Sequence, residues 1–322
     1  MCDEDTVRDV EEKEKEKEKE KEKEKEKRIH TQNSLLSSSI SSSMPSSRRQ
    51  FTTTGSAVAA SGIIASWLPA TARAEDFTEN EVVISTADGD ADAFFVHPTQ
   101  GAHAAVLVWP DVLGLRDAYR LVGRRLAAAG YAALVVNPYY RAQKAPVVAP
   151  GASFQDEEVR NLVLPLARSL TPQTNVVDAL AFINWLDAQD AVDSSKMIGT
   201  SGYCMGGSMT LRTAAANPAR VGAAVSFHGG RLVTDSADSP HRLAPRLNAS
   251  VLIAIAANDD ERDPGAKDAL RDAFDSSGVD AEVEVYEGAL HGWCTPDSRA
   301  YNEPQAERAW DRLLKRFASA LA

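Results

Sequence analysis

The sequence has little of three features that would otherwise direct a functional interpretation: cysteine, net positive charge and long apolar runs. Its three cysteines, Cys2, Cys204 and Cys294, are too few and too scattered for a disulfide framework or a zinc site of the usual spacing. The formal net charge of −11 argues against nucleic acid as a partner, because phosphates require a basic surface. A cysteine within a special motif is therefore the first feature to look for.

The first 43 residues have no apolar pattern that could form a core. Residues 11–28 are a nearly pure alternation of Glu and Lys, and a Ser-rich stretch follows. This spacing places like charges at i,i+4 and opposite charges at i,i+3, so support for a helix is mixed. We expect residues 1–43 to be a disordered extension, with a charged interaction tail as the alternative.

Residues 44–74 have the features of a twin-arginine export signal. Arg48 and Arg49 precede a run of small and apolar residues at 55–68, and residues 72–74 provide an A-x-A cleavage site. The run is too short and too rich in Gly, Ala and Ser to form a stable membrane span. The alternative is a disordered tail with a chance pair of arginines.

Two expectations follow from that signal. Export signals lie at the N-terminus, so we expect Met44 to be the true start of translation and residues 1–43 not to be translated. The mature protein would then comprise residues 75–322, carried in folded form by the twin-arginine export machinery. Its location would be the periplasm or the medium outside the cell.

From Asn80 onward, runs typical of strands alternate with helical spacing. This alternation predicts an α/β fold in one domain at 75–322, with a mostly parallel central sheet and helices on both faces. Residues 142–170 are the longest irregular stretch and a candidate lid or substrate loop. The predicted strands are 81–85, 93–96, 104–109, 131–136, 196–202, 223–227, 251–256 and 281–286, and the predicted helices are 117–129, 175–187, 205–216, 266–274 and 304–320.

The segment Gly202-Tyr203-Cys204-Met205-Gly206 lies between a predicted strand and a predicted helix. A Gly-x-Ser-x-Gly in this context is a nucleophile elbow, a turn so sharp that the backbone of the nucleophile is strained and only glycine fits on either side. The turn places Cys204 at a helix N-terminus, which favours thiolate, and leaves the Met205 N–H free for an oxyanion. We predict that Cys204 is a nucleophile. The alternative is a buried cysteine that fills core space.

A histidine and an aspartate complete the predicted catalytic triad. His291 follows the last predicted strand by a short loop, and the chain order nucleophile, acid, histidine matches that of enzymes with such an elbow. His228 is the competing base, although a hydrogen-bonded residue at the rim explains it as well. The acid should follow the strand at 251–256, where we favour Asp259 over Asp260. Its role would be to hold the tautomer of the histidine and to stabilise the imidazolium.

With these residues in place, the chain resembles the dienelactone hydrolase family of the α/β-hydrolase superfamily from about residue 82 to residue 317. The most specific match is GYCMGG at residues 202–207, since a cysteine at this elbow is unusual. The segment WPDVLGL at 109–115 resembles the one in which the family carries a glutamate and an oxyanion N–H. The segment NPYYR at 137–141 resembles the one with an arginine that binds the substrate carboxylate.

The resemblance implies roles for four further residues and offers a candidate for a fifth. The N–H groups of Val112 and Met205 would hold the oxyanion, and Arg141 would bind the substrate carboxylate. Asp111 stands where the family usually has a glutamate that restrains the resting thiol, and its side chain is one methylene shorter. For the family's second carboxylate-binding arginine, Arg299 is the nearest candidate.

The implied activity is hydrolysis of a small ester or lactone through a thioacyl-enzyme intermediate, without a metal or an organic cofactor. Two other classes stay open. One is a thiol redox protein in which Cys294 approaches Cys204, and the other is a non-catalytic binding protein on the same scaffold. We expect no stable disulfide between these cysteines, because it would block the nucleophile.

Overall fold

A computed structural model of the chain describes residues 76–322, so the predictions for residues 1–43 and 44–74 lie outside the described residues. The strands are β1 (Phe77–Thr86), β2 (Gly89–Pro98), β3 (Ala105–Trp109), β4 (Ala132–Val136), β5 (Ile198–Tyr203), β6 (Val221–Phe227), β7 (Ser250–Ala256) and β8 (Ala281–Tyr286). The helices are α1 (Asp117–Ala128), α2 (Glu157–Ser169), α3 (Pro172–Asp187), α4 (Met205–Ala216), α5 (Ala257–Arg262), α6 (Ala266–Ser276) and α7 (Glu303–Ala320), with a 3-10 helix at Pro240–Arg246.

The strands form one sheet in the order β1-β2-β4-β3-β5-β6-β7-β8. The β1–β2 and β2–β4 pairs are antiparallel, and every pair from β4–β3 to β7–β8 is parallel. Strands β3, β4 and β6 are buried along their whole length, as expected for parallel strands covered on both faces. The predicted α/β-hydrolase fold is confirmed.

Helices cover both faces of this sheet and form two separate cores. Tyr119 of α1 and Phe317 of α7 are buried in the core on one face. Phe182 of α3, Leu211 of α4 and Phe274 of α6 are buried in the core on the other face. Because the parallel strands all point the same way, the loops that follow them gather at one edge of the sheet, where a site can form.

The stretch at 142–170, which the sequence predicts to be irregular, contains helix α2, so that prediction is wrong for residues 157–169. Pro165 lies inside this helix and interrupts the pattern by which a helix is recognised. Val163 is its one fully buried residue, so the helix has no broad apolar stripe. Among residues 76–322, no helix combines the length and the apolar character needed to cross a membrane.

Candidate active site

The turn from β5 into α4 holds Cys204 in a backbone conformation that few side chains adopt. Its φ is 52° and its ψ is −113°, a strain on the order of 1–3 kcal/mol. The Cys204 N–H is shared between the carbonyl oxygen of Phe227 at 3.0 Å and Nδ1 of His228 at 3.1 Å. Hydrogen bonds from Cys204 to the end of the neighbouring strand β6 therefore hold the strained turn. Cys204 lines a cavity of about 890 Å³.

Glycine is required on both sides of the turn. A Cβ at Gly202 would lie 2.0 Å from the carbonyl oxygen of Gly206, and a Cβ at Gly206 would lie 2.3 Å from that of Trp109. Real Cβ atoms do not approach backbone atoms so closely. The collision expected from the motif is therefore present in the fold, and it explains why the sequence has glycine at both positions.

His291, which follows β8, is held by residues of the short helix α5. Its Nδ1 lies 2.6 Å from Oδ2 of Asp259, and its backbone N–H donates to Oδ1 of Asn258 at 2.8 Å. Asp260 instead accepts hydrogen bonds from Nζ of Lys267 at 2.7 and 2.8 Å. The geometry therefore places His291 against Asp259, while Asp260 points to helix α6.

The surroundings of His291 favour its charged form. Burial alone lowers the pKa of this imidazole, but hydrogen bonds to Asp259 and to Cys204 outweigh burial and raise the pKa to about 10. The ring thus lies between a carboxylate and a sulfur, either of which stabilises an imidazolium. A cysteine paired with a protonated histidine is the arrangement by which nucleophilic thiolates are maintained.

A second histidine, His228, lies beside this pair. Its ring centroid is 4.8 Å from that of His291 and 5.1 Å from that of Trp293. Burial and then the neighbouring imidazole of His291 hold the pKa of His228 well below its usual value. His228 is therefore neutral, which lets Nδ1 accept the N–H of Cys204. Its φ of 39° shows that the backbone is itself strained at this position.

The two predicted oxyanion donors lie on one side of the cavity. Met205 is the first residue of α4, so its N–H has no acceptor within the helix. The Asp111 carbonyl accepts from the Gly114 N–H at 2.9 Å, which fixes the peptide plane that carries the Val112 N–H. The Tyr139 hydroxyl donates to the Val112 carbonyl at 2.8 Å and lies 3.5 Å from the Met205 sulfur. Tyr139 thus links the two segments.

The side chain of Asp111 is bound to an arginine. Arg116 donates to both carboxylate oxygens of Asp111 at 2.7 and 2.9 Å, and to both of Asp297 at 2.6 and 3.2 Å. Burial alone lowers the pKa of Arg116, but the two carboxylates raise it well above its usual value. Asp111 lines the cavity, and its charge is balanced by Arg116.

The two arginines that the resemblance associates with substrate lie in different places. Arg141 lies outside the cavity lining and donates to Asp88 at 2.6 Å and to the buried carboxylate of Asp178 at 2.7 and 2.8 Å. Arg299 does line the cavity, and it forms an ion pair with Asp156 at 3.1 Å. The structure therefore does not bring Arg141 together with Cys204.

Three residues of the site carry no signal in the sequence that identifies them. Arg116 and Asp297 are 181 positions apart, so their pairing is a product of the fold alone. Tyr139 lies in the NPYYR segment, where the arginine is the residue that the resemblance singles out. The position of His228, by contrast, could be predicted from the sequence. It directly follows a strand that ends at the same edge of the sheet as Cys204.

Both cysteines within the described residues are free thiols. Cys204 is half-buried at the cavity, whereas Cys294 is buried in the core on the α1–α7 face of the sheet. Burial raises the pKa of the Cys294 thiol well above its usual value, which makes Cys294 a poor nucleophile.

The model of the dienelactone hydrolase family matches residues 91–321, nearly all of the described chain. The chain belongs to the dienelactone hydrolase family. A Methylorubrum extorquens protein named "Putative carboxymethylenebutenolidase" is 29% identical over 270 residues, which cover 82% of this chain and 88% of that protein. A protein of the same name from Escherichia coli K12 is 27% identical and covers 70% of this chain and 81% of its own length.

Solved structures agree with this assignment. A dienelactone hydrolase-like promiscuous phosphotriesterase from metagenomic libraries has a TM-score of 0.64 and 25% identity, covering 77% of this chain and all of its own. The dienelactone hydrolase from Anabaena variabilis has the same fold, with a TM-score of 0.56 and 20% identity over 77% of this chain and all of its own.

Proposed function

We propose that the protein hydrolyses ester or lactone bonds of small molecules by two-step acyl transfer, with Cys204 as nucleophile, His291 as base and Asp259 as the residue that orients the histidine. The observation that carries this proposal is that Cys204 and His291 line one cavity while Asp259 holds the far side of the His291 ring. A strained cysteine at a helix N-terminus faces an imidazole whose other nitrogen is held by a carboxylate at 2.6 Å.

Each step of the reaction has a candidate residue in this arrangement. The Cys204 sulfur attacks the carbonyl carbon, and the N–H groups of Val112 and Met205 hold the resulting oxyanion. The imidazolium of His291 gives its proton to the departing alkoxide as the carbon–oxygen bond breaks. The neutral imidazole then takes a proton from water, which attacks the thioacyl carbon. The carbon–sulfur bond breaks, the acid is released, and the thiolate and the imidazolium are regenerated.

The first test is ester hydrolysis by the purified protein, on aryl acetates and on an unsaturated carboxy-lactone. We expect turnover by the wild type and a loss of about 10³-fold or more in Cys204→Ala, since removal of a nucleophile leaves only binding and oxyanion stabilisation. Cys294→Ala is the matched control, because it removes a thiol that lies in the core. Turnover that survives in Cys204→Ala but is lost in Cys294→Ala would contradict the assignment.

The double variant Cys204→Ala/His291→Ala tests whether the two residues act as one catalytic unit or contribute independently to the rate. Residues that act as one unit are strongly non-additive, so we expect the double variant to be no slower than Cys204→Ala alone. A further loss of the same size on adding His291→Ala would show that the histidine acts apart from the cysteine.

A further inference from the structure

The cavity that contains Cys204 is rich in arginine, although the chain as a whole is acidic. Three aspartates line it, and the formal net charge of the chain is −11. With five arginines against three aspartates, the lining is positively charged even before its histidines are considered. A positive cavity favours an anionic ligand. The five arginines that line it are Arg116, Arg168, Arg212, Arg231 and Arg299.

Three of these guanidinium groups lack the ion pairs that the other two have. Arg116 and Arg299 each form ion pairs with aspartates. Arg168, Arg212 and Arg231 form no ion pair with any carboxylate of residues 76–322, and of these three Arg212 and Arg231 are close enough for their charges to interact. The hydrogen bond of Arg212 runs from Nη2 to the backbone carbonyl of Asp238 at a long 3.4 Å.

Arg212 also has a donor that no group in residues 76–322 accepts from. Its Nε is buried and has no hydrogen-bond partner among the described residues. Burial lowers the pKa of Arg212, and the nearby positive charge of Arg231 lowers it further against the opposing effect of Asp238. Nε and Nη2 form one edge of the planar guanidinium, and a carboxylate binds such an edge through two parallel hydrogen bonds.

A buried amide in the wall of the same cavity also has no hydrogen-bond partner in the described part of the chain. Asn175 of α3 is 2% exposed, and neither its Oδ1 nor its Nδ2 has a hydrogen-bond partner in the described part of the chain. It lines the cavity, and α3 packs along α4, the helix that carries Arg212. Buried polar groups without partners are rare, so this wall is suited to a polar ligand.

We propose that Arg212 and Arg231 bind a carboxylate of the substrate at a position remote from the scissile carbonyl, an inference that rests on the proposed hydrolase function. Arg212 follows Cys204 by eight residues along α4, which is about 12 Å at 1.5 Å per residue. The Arg212 side chain can extend back along the helix over part of this rise, and the substrate spans the remainder with an extended chain between its carbonyl and its carboxylate. The substrate class is an elongated ester with a terminal carboxylate, which a cavity of about 890 Å³ accommodates.

The test compares charge at the far end of otherwise matched substrates. The probes are 4-nitrophenyl monoesters of adipic, suberic and sebacic acid, each beside the same ester with the free carboxylate replaced by a neutral carboxamide. For the wild type we expect kcat/KM for the carboxylate to exceed that for the carboxamide, with the ratio rising with chain length to a maximum. In Arg212→Gln and in Arg231→Gln, this ratio falls about tenfold, the loss expected for one charge-assisted hydrogen bond.

Arg271→Gln is the control for charge alone, because Arg271 is an exposed residue of α6 outside the cavity lining. It removes one positive charge and leaves the ratio as in the wild type. Arg231 is exposed, so Arg231→Gln tests the subsite even if Arg212→Gln does not fold. A wild-type ratio of one or less at every chain length overturns the proposal, as does a ratio that stays unchanged in both cavity variants.

Calorimetric titration with suberate tests carboxylate binding by the two arginines independently of the proposed hydrolase activity. If no ester is turned over, the proposed reaction fails, and suberate binding still reports on the arginines. Binding by the wild type that weakens about tenfold in Arg231→Gln supports the subsite. Equal binding by both proteins, or none by the wild type, overturns it.

Discussion

Single residues at this site act through charges that their neighbours hold in place. Asp259 supplies the negative charge that His291 needs, and Cys204 adds to it. His228, only one ring away, is kept neutral by burial and by His291. Two imidazoles in contact thus have opposite protonation states at neutral pH, because one has a carboxylate partner at 2.6 Å and the other is fully buried next to the charged ring.

Asp259→Asn should lower the pKa of His291 from about 10, since the carboxylate is lost while burial, which lowers the pKa, remains. In the wild type this pKa exceeds the reference value of 6.5. Between pH 6.5 and about 10, the folded chain therefore keeps a proton on His291 that the unfolded chain releases. The stabilisation from His291 is therefore complete below pH 6.5 and is lost as the pH rises through about 10. NMR titration of the imidazole measures the pKa directly.

Urea unfolding at several pH values tests the same prediction through stability. We expect the wild type to exceed Asp259→Asn in unfolding free energy most clearly near pH 6, and the difference to shrink toward pH 10. Asp260→Asn is the matched control, because Asp260 is bound to Lys267 and not to His291. A larger shift of the His291 pKa in Asp260→Asn than in Asp259→Asn would reverse the assignment of the acid.

At the scale of secondary-structure elements, partly buried ion pairs link helices to the sheet and to one another. Asp178 of α3 has a side chain only 1% exposed, and it accepts hydrogen bonds from Tyr140 and from Arg141, which follow β4. Arg125 of α1 pairs with Glu307 of α7 and lies over the ring of Trp310 at 4.2 Å. These contacts join elements that are far apart in the sequence.

Arg141→Gln should destabilise the protein by about 2–3 kcal/mol, because it leaves the buried carboxylate of Asp178 without its positive partner. The double variant Arg141→Gln/Asp178→Asn removes both charges, and we expect it to recover part of this loss. Chemical denaturation measures both free energies. An unchanged unfolding midpoint in Arg141→Gln, together with a raised KM for carboxylate-bearing esters, would instead support Arg141 as a substrate anchor.

At the scale of the whole molecule, one sheet with a core on each face gathers the loops after β3, β5, β6, β7 and β8 at a single edge. Asp111, Cys204, His228, Asp259 and His291 all come from these loops. The parallel strands set where each of these loops begins, so the position of each side chain depends on the order of strands in the sheet. A site of this kind can be altered by changing loops while the core is kept.

Twin-arginine export and translation from Met44 are predictions about the whole chain that concern residues outside the described part. Mass spectrometry of N-terminal peptides from native cells tests both. We expect the exported protein to begin near Glu75 and no peptide to map upstream of Met44, because an export signal must lie at the N-terminus. Peptides from the Glu-Lys run would contradict the start at Met44.

Local sequence signals were sufficient to predict most elements, to name Cys204 and His291 for the proposed triad, and to limit its acid to Asp259 or Asp260. Apolar runs marked buried strands such as β3 and β7, and helix α4 begins and ends where its pattern predicts. The glycines beside Cys204 are required by contacts within the turn itself and with the loop after β3, so a short motif contains the information. Helix α2 was missed because Pro165 and a narrow apolar face hide its period.

The sequence by itself determined the fold class, the elbow and the candidates for base and acid, because each depends on residues that are close in the chain. Only the tertiary structure decided that His291 meets Asp259 and not Asp260, that Arg116 bridges Asp111 and Asp297, and that Arg141 serves Asp178. Those pairings join residues up to 181 positions apart. Their energies depend on burial and direction, which exist only once the sheet has brought the loops together.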